Sequence, residues 1–320
     1  MAVAEVVTYG ECMLLMVAEP GVPLARARSF RRSVAGAEGN VAIGLSRLGH
    51  AVRWLGRVGA DPAGEAVLTD LRAEGVDLSH AQIDERYPTG VLIRDSHPAR
   101  AIDVQYHRAG SAACHAPGDW PGPGTLDGAR LLHLTGITPM LSEDTRRATG
   151  RLLELARERG VTVSFDPNVR RKLGDAGRWR EVVGPLLRRA DILLAGAEEL
   201  ELLTGRRAAE AVADLRADGV GTVVVKNPDR SATAVTAEGS WNRPAFDVPV
   251  VDPVGAGDAF AAGFLSATLR GLGPERALAE GATVAALTIQ SVTDAEGLPS
   301  ASQRDRALAA FIDGGETVHR

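Results

Sequence analysis

Short runs of β-branched and apolar residues alternate along the chain with longer segments whose apolar residues recur at helical spacing. Ser142–Arg159 illustrates the second pattern. There Leu152, Leu155 and Ala156 lie among Arg and Glu residues, so that one face packs and the other meets water. Regular alternation of strand and helix is typical of a parallel sheet with helices on both faces. The pattern therefore predicts an α/β fold with a doubly wound, mostly parallel sheet.

The pattern also sets approximate bounds for each element. The predicted strands are Glu5–Thr8, Val52–Val58, Arg130–Leu134, Val161–Asp166, Ile192–Leu194, Thr222–Lys226 and Thr233–Thr236. The predicted helices are Asn40–Leu48, Pro62–Glu74, Ser142–Arg159, Trp179–Arg189, Glu198–Thr204, Ala208–Asp218, Gly257–Arg270 and Pro274–Gln290. Most predicted strands are followed by a predicted helix, which is the order that the crossover connections of a parallel sheet need.

Two segments, Cys12–Val34 and Pro88–Arg108, break this alternation, because each reads as extended and neither contains a helical pattern. They predict a small accessory β-sheet, either a lid over a site or an interface, because an exposed open sheet needs a cover. The same argument makes this sheet a candidate surface for self-association into a homo-oligomer. The predicted division is a core of residues 1–11, 35–86 and 111–320 and an accessory sheet of residues 12–34 and 87–110.

The composition of the chain indicates which classes of binding partner the protein lacks. The chain has 36 Lys+Arg against 41 Asp+Glu, a formal net charge of −5, and lacks the basic excess of a nucleic-acid binder. The start of the chain has no basic, apolar leader, and the apolar stretch Ala259–Leu269 is shorter than the roughly 20 residues of a membrane span. Cys12 and Cys114 lack metal-ligand spacing and are predicted to be buried and structural. We therefore expect a cytoplasmic protein with neither nucleic-acid nor membrane partners.

The strongest chemical signal lies in Val251–Gly271. Gly255 and Gly257 flank Ala256, Asp258 follows, and a helical pattern begins at once. Such a turn can direct backbone N–H groups into a concavity at a helix N-terminus, where the helix dipole favours a phosphate. Asp258 beside it can accept a proton from a hydroxyl, as phosphoryl transfer requires. The alternative is a tight turn with an acidic helix cap.

A second cluster runs from Ala35 to Asn40 and leads into a helix. Gly36 permits a ligand to approach the backbone closely, and Asn40 can both donate to and accept from a sugar hydroxyl. The alternative is a glycine-rich helix entry with Asn40 as its N-cap.

Together these stretches resemble the ribokinase (PfkB) family of carbohydrate kinases. The resemblance is carried by Gly10-Glu11, Ala35–Asn40, Gly56–Gly64, Ser164–Asn168 and Asp252–Gly263. Within the family, Val251–Phe260, Tyr106–Ala112 and His133–Pro139 most resemble 2-keto-3-deoxygluconate kinases. The resemblance implies a doubly wound core with a small β lid, MgATP as donor, Asp258 as general base and the backbone of Gly255, Ala256, Gly257 and Asp258 as anion hole.

The resemblance also implies a set of substrate contacts, namely Glu11, Gly36, Asn40, Tyr106, Arg108, Asp166, Asn168 and Arg170. A planar guanidinium matches a carboxylate better than a neutral sugar, so Arg108 favours an acid sugar, and Arg170 is a further candidate for contact with substrate or phosphate. The expected reaction is phosphorylation of a sugar primary hydroxyl, with 2-keto-3-deoxygluconate going to its 6-phosphate. The alternatives are a kinase for a neutral sugar or nucleoside (fructose, ribose or adenosine) and a non-catalytic sensor of sugar or nucleotide.

For the nucleotide, the resemblance implies contacts from Lys226, Asp252, Gly255 and Gly257, with Glu199 acting on Mg²⁺ through water. The chain departs from the family pattern in two places on the nucleotide side and in a third at Leu92, where several 2-keto-3-deoxygluconate kinases carry an aromatic residue that faces the sugar. The loop Asn227–Ala232 lacks the two glycines that relatives carry after the lysine, and Gly196 replaces the asparagine of the Asn-x-x-Glu motif. Magnesium is held largely by nucleotide phosphates and water in such sites, so the second change weakens the expectation without removing it.

Overall fold

The structure is a computed structural model that describes residues 3–97, 101–117 and 120–313. Its strands are β1 (Val6–Tyr9), β2 (Met13–Ala18), β3 (Phe30–Ala35), β4 (Val52–Leu55), β5 (Arg57–Gly59), β6 (Gln82–Asp84), β7 (Val91–Arg94), β8 (Val104–His107), β9 (Leu131–Thr135), β10 (Thr162–Asp166), β11 (Ile192–Gly196), β12 (Thr222–Lys226), β13 (Ser231–Val235) and β14 (Ser240–Pro244). Its α-helices are α1 (Ala37–Arg47), α2 (Pro62–Ala73), α3 (Ile137–Leu141), α4 (Glu143–Arg159), α5 (Ala176–Val182), α6 (Ala197–Thr204), α7 (Ala208–Ala217), α8 (Ala256–Leu269), α9 (Pro274–Thr288) and α10 (Ala301–Asp313).

The main sheet has eight strands in the order β14-β13-β12-β11-β10-β9-β1-β4. The strands from β12 to β4 pair in parallel, and β13 and β14 continue antiparallel at one edge. Parallel sheets need both faces covered, and each face here has its own core. Val41, Phe264 and Val284 place α1, α8 and α9 on one face, whereas Leu152 and Leu215 place α4 and α7 on the other. The predicted doubly wound α/β fold is confirmed.

Local chemistry explains why α4 keeps its predicted bounds. Ser142 accepts from the N–H of Thr145, and the Thr145 hydroxyl accepts from the N–H of Ser142, which satisfies two donors that the helix itself leaves free. Gly160, with φ at 66°, ends the helix in a left-handed cap. Start and stop signals of this kind are visible in sequence, so the prediction was accurate here.

Three predicted elements were wrong in their bounds. The helix predicted over Asn40–Leu48 begins earlier, as α1, with Gly36 as its N-cap, so Asn40 lies inside the helix. The predicted strand Val52–Val58 is broken at Gly56, where β4 ends and β5 leaves to pair with β6 in a separate two-stranded sheet. The predicted helix Trp179–Arg189 ends earlier as α5, because Pro185 cannot continue its hydrogen bonding and a 3₁₀ turn follows. The pattern also missed α3, which is a single turn containing a proline, and the elements β6, β14 and α10.

The second sheet, as we call the four strands in the order β3-β2-β7-β8, is the expected accessory sheet. Its inner residues Met13, Leu15, Val17, Ala35 and Leu92 form a small core of their own. Parallel pairing of β2 with β7 joins its two chain segments.

Cys12 and Cys114 are buried free thiols, as predicted. Among the described ranges, none of the helices combines the length and apolar character that a membrane crossing requires.

Candidate active site

The candidate site lies at the carboxyl ends of the central strands, where ligands of doubly wound sheets bind. Glu11 follows β1, Asn168 follows β10, and Lys226 ends β12. A cavity of about 260 Å³, which we call the inner cavity, lies between these strand ends and the second sheet. Its lining includes Glu11, Gly36, Asn40, Tyr106, Arg108, Arg170, Gly255 and Asp258, so the structure brings most of the predicted substrate and catalytic residues together.

Asp258 stands in the first turn of α8 and is 8% exposed. Its carboxylate accepts hydrogen bonds from Asn40 Nδ2 at 2.8 Å and from Asn168 Nδ2 at 3.2 Å. Burial raises the pKa of Asp258 to about 7, against the opposing effects of the Asn40 hydrogen bond and the nearby Arg170. A carboxylate held by two amides with a pKa near neutrality is suited to accept a proton at physiological pH.

The Gly255–Asp258 turn forms the N-terminus of α8. Gly255 has φ at 84°, a left-handed conformation that favours glycine. The first N–H groups of a helix lack partners within the helix, and they carry its partial positive charge. Lys226 Nζ would lie 3.9 Å from a Cβ built on Gly257, so a lysine charge adjoins the turn. This arrangement is suited to hold an anion next to Asp258.

We predict that Gly255→Ala destabilises the protein by at least about 1 kcal/mol and lowers its melting temperature, because an L-residue resists the left-handed conformation. In addition, the new Cβ would lie 2.7 Å from the backbone oxygen of Asp294. Gly271→Ala is the matched control, since Gly271 has φ at 75° with open space around a Cβ. Thermal unfolding of both variants measures the difference, and equal losses would show that the contact with Asp294 has no effect.

A chain of polar contacts connects the turn to β10 and β12. Asn168 adopts a positive φ of 47°, which is rare outside glycine and is found where function demands strain. Its N–H donates to Asp166 Oδ1 at 3.0 Å, and Lys226 Nζ donates to Asp166 Oδ2 at 2.7 Å. Burial opposes the charge of Lys226, but the attraction of Asp166 and Glu199 prevails and raises its pKa. Lys226 therefore carries a positive charge at neutral pH.

On the side of the second sheet, an ion pair fixes Arg108. Its Nη2 lies 2.5 Å from Glu11 Oε2, and Ser111 Oγ donates to Glu11 Oε1 at 2.7 Å. Arg108 also lies 5.4 Å from the centre of the Tyr106 ring, and its buried Nε has no hydrogen-bond partner among the described residues. Both side chains border a larger outer cavity of about 1040 Å³ as well. Arg108 therefore lies between the inner and the outer cavity, and its Nε–H is a donor that a ligand could use.

Gly36 is required for close packing of the backbone, in addition to its expected role of letting a ligand approach the backbone. With φ at 154°, it passes so close to the segment that follows β1 that a Cβ would lie 2.1 Å from the Glu11 carbonyl oxygen.

The side chains of two residues predicted to contact the nucleotide or its magnesium ion, Asp252 and Glu199, are bound to other parts of the protein. Asp252 is fully buried beneath the Gly255–Asp258 turn, where it accepts from Arg94, Ser96 and the N–H of Val254. Its side chain is therefore not available to a nucleotide in this arrangement. Glu199 accepts from the N–H of Val169 and the N–H of Gly196, both at 2.7 Å, so it ties β11 to the loop after β10.

A second cavity, of about 490 Å³, lies on the other side of the Gly255–Asp258 turn. Lys226, Ala256 and Gly257 stand at its edge, and its walls are mainly apolar, including Pro253, Phe260, Ala282, Ala286 and Ile289. The walls suit a planar aromatic base, and the edge suits phosphates.

The loop Asn227–Ala232, which lacks the family's glycines, is closed by its own side chains. Asn227 Nδ2 donates to Ser231 Oγ at 2.9 Å and to Thr233 Oγ1 at 3.0 Å. Arg230 takes the positive φ of 66° that a glycine would otherwise supply. The turn is therefore built differently from that of the family pattern, yet it still borders the second cavity.

Sequence reasoning missed Arg94 and Asp294. Both line the inner cavity and are almost fully buried, and they form an ion pair with Nη2 and Oδ1 2.8 Å apart. Neither residue belongs to a recognisable motif, and a charged residue at the end of the apolar run Val91–Ile93 gives no sequence signal of burial.

Within the described parts of the chain, there is no group of three or more His, Cys, Asp or Glu side chains close enough to hold a metal ion. Magnesium usually binds through one or two carboxylates together with nucleotide phosphates and waters, so it does not require a cage of protein ligands. Glu199 is the residue that fits an indirect role, since each of its oxygens has one N–H partner and a lone pair to spare.

Comparisons with known proteins identify the family of this chain. The family model described as pfkB family carbohydrate kinase matches residues 3–301. The 2-dehydro-3-deoxygluconokinase of Bacillus subtilis (strain 168) is 36% identical over 99% of this chain and 98% of its own. The 2-dehydro-3-deoxygalactonokinase of Haloferax volcanii is 36% identical over 89% of this chain and 90% of its own.

Solved structures show the same likeness. The PfkB protein from Polaromonas sp. JS666 is 40% identical, with a TM-score of 0.84 over 95% of this chain and 100% of its own. The 2-dehydro-3-deoxygluconokinase from Thermotoga maritima is 26% identical, with a TM-score of 0.89 over 96% and 98%. The chain belongs to the PfkB family of carbohydrate kinases, and the protein is a sugar kinase.

Proposed function

We propose that the protein uses ATP to phosphorylate the primary hydroxyl of a 2-keto-3-deoxy sugar acid, with 2-keto-3-deoxygluconate going to its 6-phosphate. The observation that carries the proposal is the Asp258 carboxylate, which Asn40 and Asn168 hold beside the Gly255–Asp258 turn. The sugar occupies the inner cavity, and ATP occupies the second cavity across that turn.

Each residue then has a defined task. Asp258 accepts the proton of the attacking hydroxyl, while the N–H groups of the Gly255–Asp258 turn stabilise the charge that develops on the transferred phosphoryl group. Lys226 adds a positive charge beside the phosphates. Glu199 would hold a water of the Mg²⁺ that arrives with ATP, and that ion would supply neutralisation of phosphate charge. The second sheet acts as a lid that excludes water, which would otherwise compete as acceptor.

Two arginines support an acid substrate. Arg108 is fixed by Glu11 and its Nε has no hydrogen-bond partner in the described part of the chain, and Arg170 lines the same cavity. Guanidinium groups pair with carboxylates in a planar, bidentate geometry. The named activities of the Bacillus and Haloferax relatives concern two sugar acids of this class, so the gluconate and galactonate forms are the first substrates to compare.

The second candidate is a kinase for a neutral sugar or a nucleoside, favoured by the position of Glu11, which neutralises part of the Arg108 charge. A non-catalytic sensor is disfavoured, because a sensor has no use for a carboxylate poised as a base.

The direct test is an ADP-release assay with MgATP and a panel of 2-keto-3-deoxygluconate, 2-keto-3-deoxygalactonate, fructose, ribose, adenosine and a control without sugar. We expect turnover with the sugar acids alone. Turnover confined to a neutral sugar or to adenosine would contradict the acid-sugar proposal. No turnover by folded protein, with ATP or GTP, would favour the sensor.

The pH profile gives an independent prediction. With the pKa of Asp258 raised to about 7 by burial, its base form is lost as the pH falls. We therefore expect kcat/KM for the sugar to rise about tenfold per pH unit below pH 7 and to level off above it. Steady-state rates between pH 5 and pH 9 check this. A rate independent of pH down to about pH 5 would mean that the base ionises like an ordinary aspartate.

A further inference from the structure

One charged side chain of the second sheet is buried in the main body of the protein. Arg94 ends β7 and is 1% exposed. Its Nη1 donates to Asp252 Oδ2 at 2.7 Å and its Nη2 to Asp294 Oδ1 at 2.8 Å. Asp252 and Asp294 are 0% and 6% exposed. A strand of the second sheet thus contributes the cation of a buried three-residue ion cluster.

The Asp252 carboxylate holds the backbone that leads into the Gly255–Asp258 turn, and the main chain of Asp294 packs against Gly255. Asp252 Oδ1 accepts from the N–H of Val254 at 3.0 Å, immediately before Gly255. The backbone oxygen of Asp294 lies so close to Gly255 that a Cβ there would be 2.7 Å away. The cluster therefore lies directly beneath the backbone that begins α8.

A buried ion cluster such as this one is explained better by a role in function than by a contribution to stability. Removing charges from water is expensive, and a buried ion pair often stabilises a fold no better than apolar residues of similar volume. Burial raises the pKa of Asp294, and the attraction of Arg94 opposes that shift. The two carboxylates need a cation, and the second sheet supplies it.

We infer that Arg94 is a positioning residue that fixes the Gly255–Asp258 turn through Asp252 and Asp294, and that it makes the seated second sheet a condition for phosphoryl transfer. This inference rests on the proposed role of the turn as the anion hole. Arg94 moves with β7, so displacement of the second sheet withdraws the cation from both carboxylates and releases the turn. The enzyme is thereby kept from transferring a phosphoryl group before its site is closed.

The chain offers a matched control. Arg31 of β3 also joins the second sheet to the segment after α9, through Glu296 at 2.7 Å, but the two side chains are 59% and 43% exposed. An exposed pair contributes little. Arg31→Met therefore removes a contact between the same two parts of the molecule without touching the buried cluster.

The test compares Arg94→Lys, Arg94→Met and Arg31→Met with the wild type. Because Arg94→Met leaves two buried carboxylates unpaired and can fail to fold, the triple variant Arg94→Met/Asp252→Asn/Asp294→Asn provides a neutral cluster of similar volume. The readouts are kcat and KM for ATP and the active sugar, together with hydrogen exchange of the backbone amides of residues 252–260 and of α4.

We expect the triple variant, and Arg94→Met where it folds, to lose about 100-fold in kcat, with the ATP KM changed less than about threefold, because an anion hole acts in the transition state. In these variants the amides of residues 252–260 exchange faster than in the wild type, whereas the amides of α4 exchange at the same rate. For Arg94→Lys we expect a kcat and an exchange rate between those of the wild type and of Arg94→Met. Arg31→Met stays near the wild type.

A folded triple variant with kcat within about threefold of the wild type and unchanged exchange would overturn the inference, as would an equal kcat loss in Arg31→Met. If the triple variant fails to fold, Arg94→Lys is the deciding variant. A kcat and an amide exchange equal to those of the wild type in Arg94→Lys would also overturn the inference. A wild type that phosphorylates no sugar would contradict the proposed function instead, and the exchange data would still decide whether Arg94 holds the turn.

Discussion

Asp258→Asn is expected to lower kcat by about 10²- to 10⁴-fold, the range that positioned general bases contribute. Asparagine has nearly the shape of aspartate but cannot take up the proton of the attacking hydroxyl. Asn40 and Asn168 hold the carboxylate at 2.8 Å and 3.2 Å, so that the base does not have to be brought into place during the reaction. Steady-state kinetics with MgATP and the active sugar measure the loss.

Binding distinguishes loss of chemistry from loss of the site. The side chains proposed to contact the sugar and ATP remain in the Asn variant, so titration calorimetry should give dissociation constants for ATP and sugar within about threefold of the wild type. The residual activity should also lose its dependence on pH near 7. Asp218→Asn, which changes an exposed carboxylate that pairs with Arg188, is the control and should behave as the wild type. Wild-type turnover by Asp258→Asn would remove Asp258 from the mechanism.

The main architecture could be predicted because it depends on local signals. The β-branched runs fixed the central strands to within a residue or two, and α4 shows its capping serine and terminal glycine in sequence. The bounds failed where a tertiary contact decides them. At Gly56 a Cβ would lie 2.0 Å from the Trp54 ring and 2.6 Å from the Gly10 carbonyl oxygen, and no local pattern predicts such crowding.

The candidate site divides in the same way. Gly36, Asn40, Arg108 and Asp258 lie in motifs, and the structure brings them to one cavity. The roles of Arg94 and Asp294 depend on long-range burial, since they are 200 residues apart in sequence and meet where the end of β7 packs on the main body of the protein. Asp252 lies within a motif, yet its partner is Arg94. Motif membership thus located Asp252 near the turn but could not say which way its side chain points.

Arg108→Ala is expected to lower kcat/KM for a 2-keto-3-deoxy sugar acid by about 100-fold or more, because loss of one partner of a buried, hydrogen-bonded charge pair costs about 2–5 kcal/mol. The larger part should appear in KM, since a carboxylate remote from the reacting hydroxyl is bound equally in the ground and transition states. Any slow turnover of fructose or ribose should change much less.

The alanine variant also leaves Glu11 buried without its cation, and that residue is 2% exposed. Such a loss destabilises proteins and could itself distort the cavity. The double variant Glu11→Gln/Arg108→Ala removes the unpaired charge, and its melting temperature should recover toward that of the wild type. If Arg108 selects the substrate carboxylate, the double variant still discriminates poorly between acid and neutral sugars. Restored preference for the acid in the double variant would show that Arg108 serves only to neutralise Glu11, and that Arg170 alone recognises the acid.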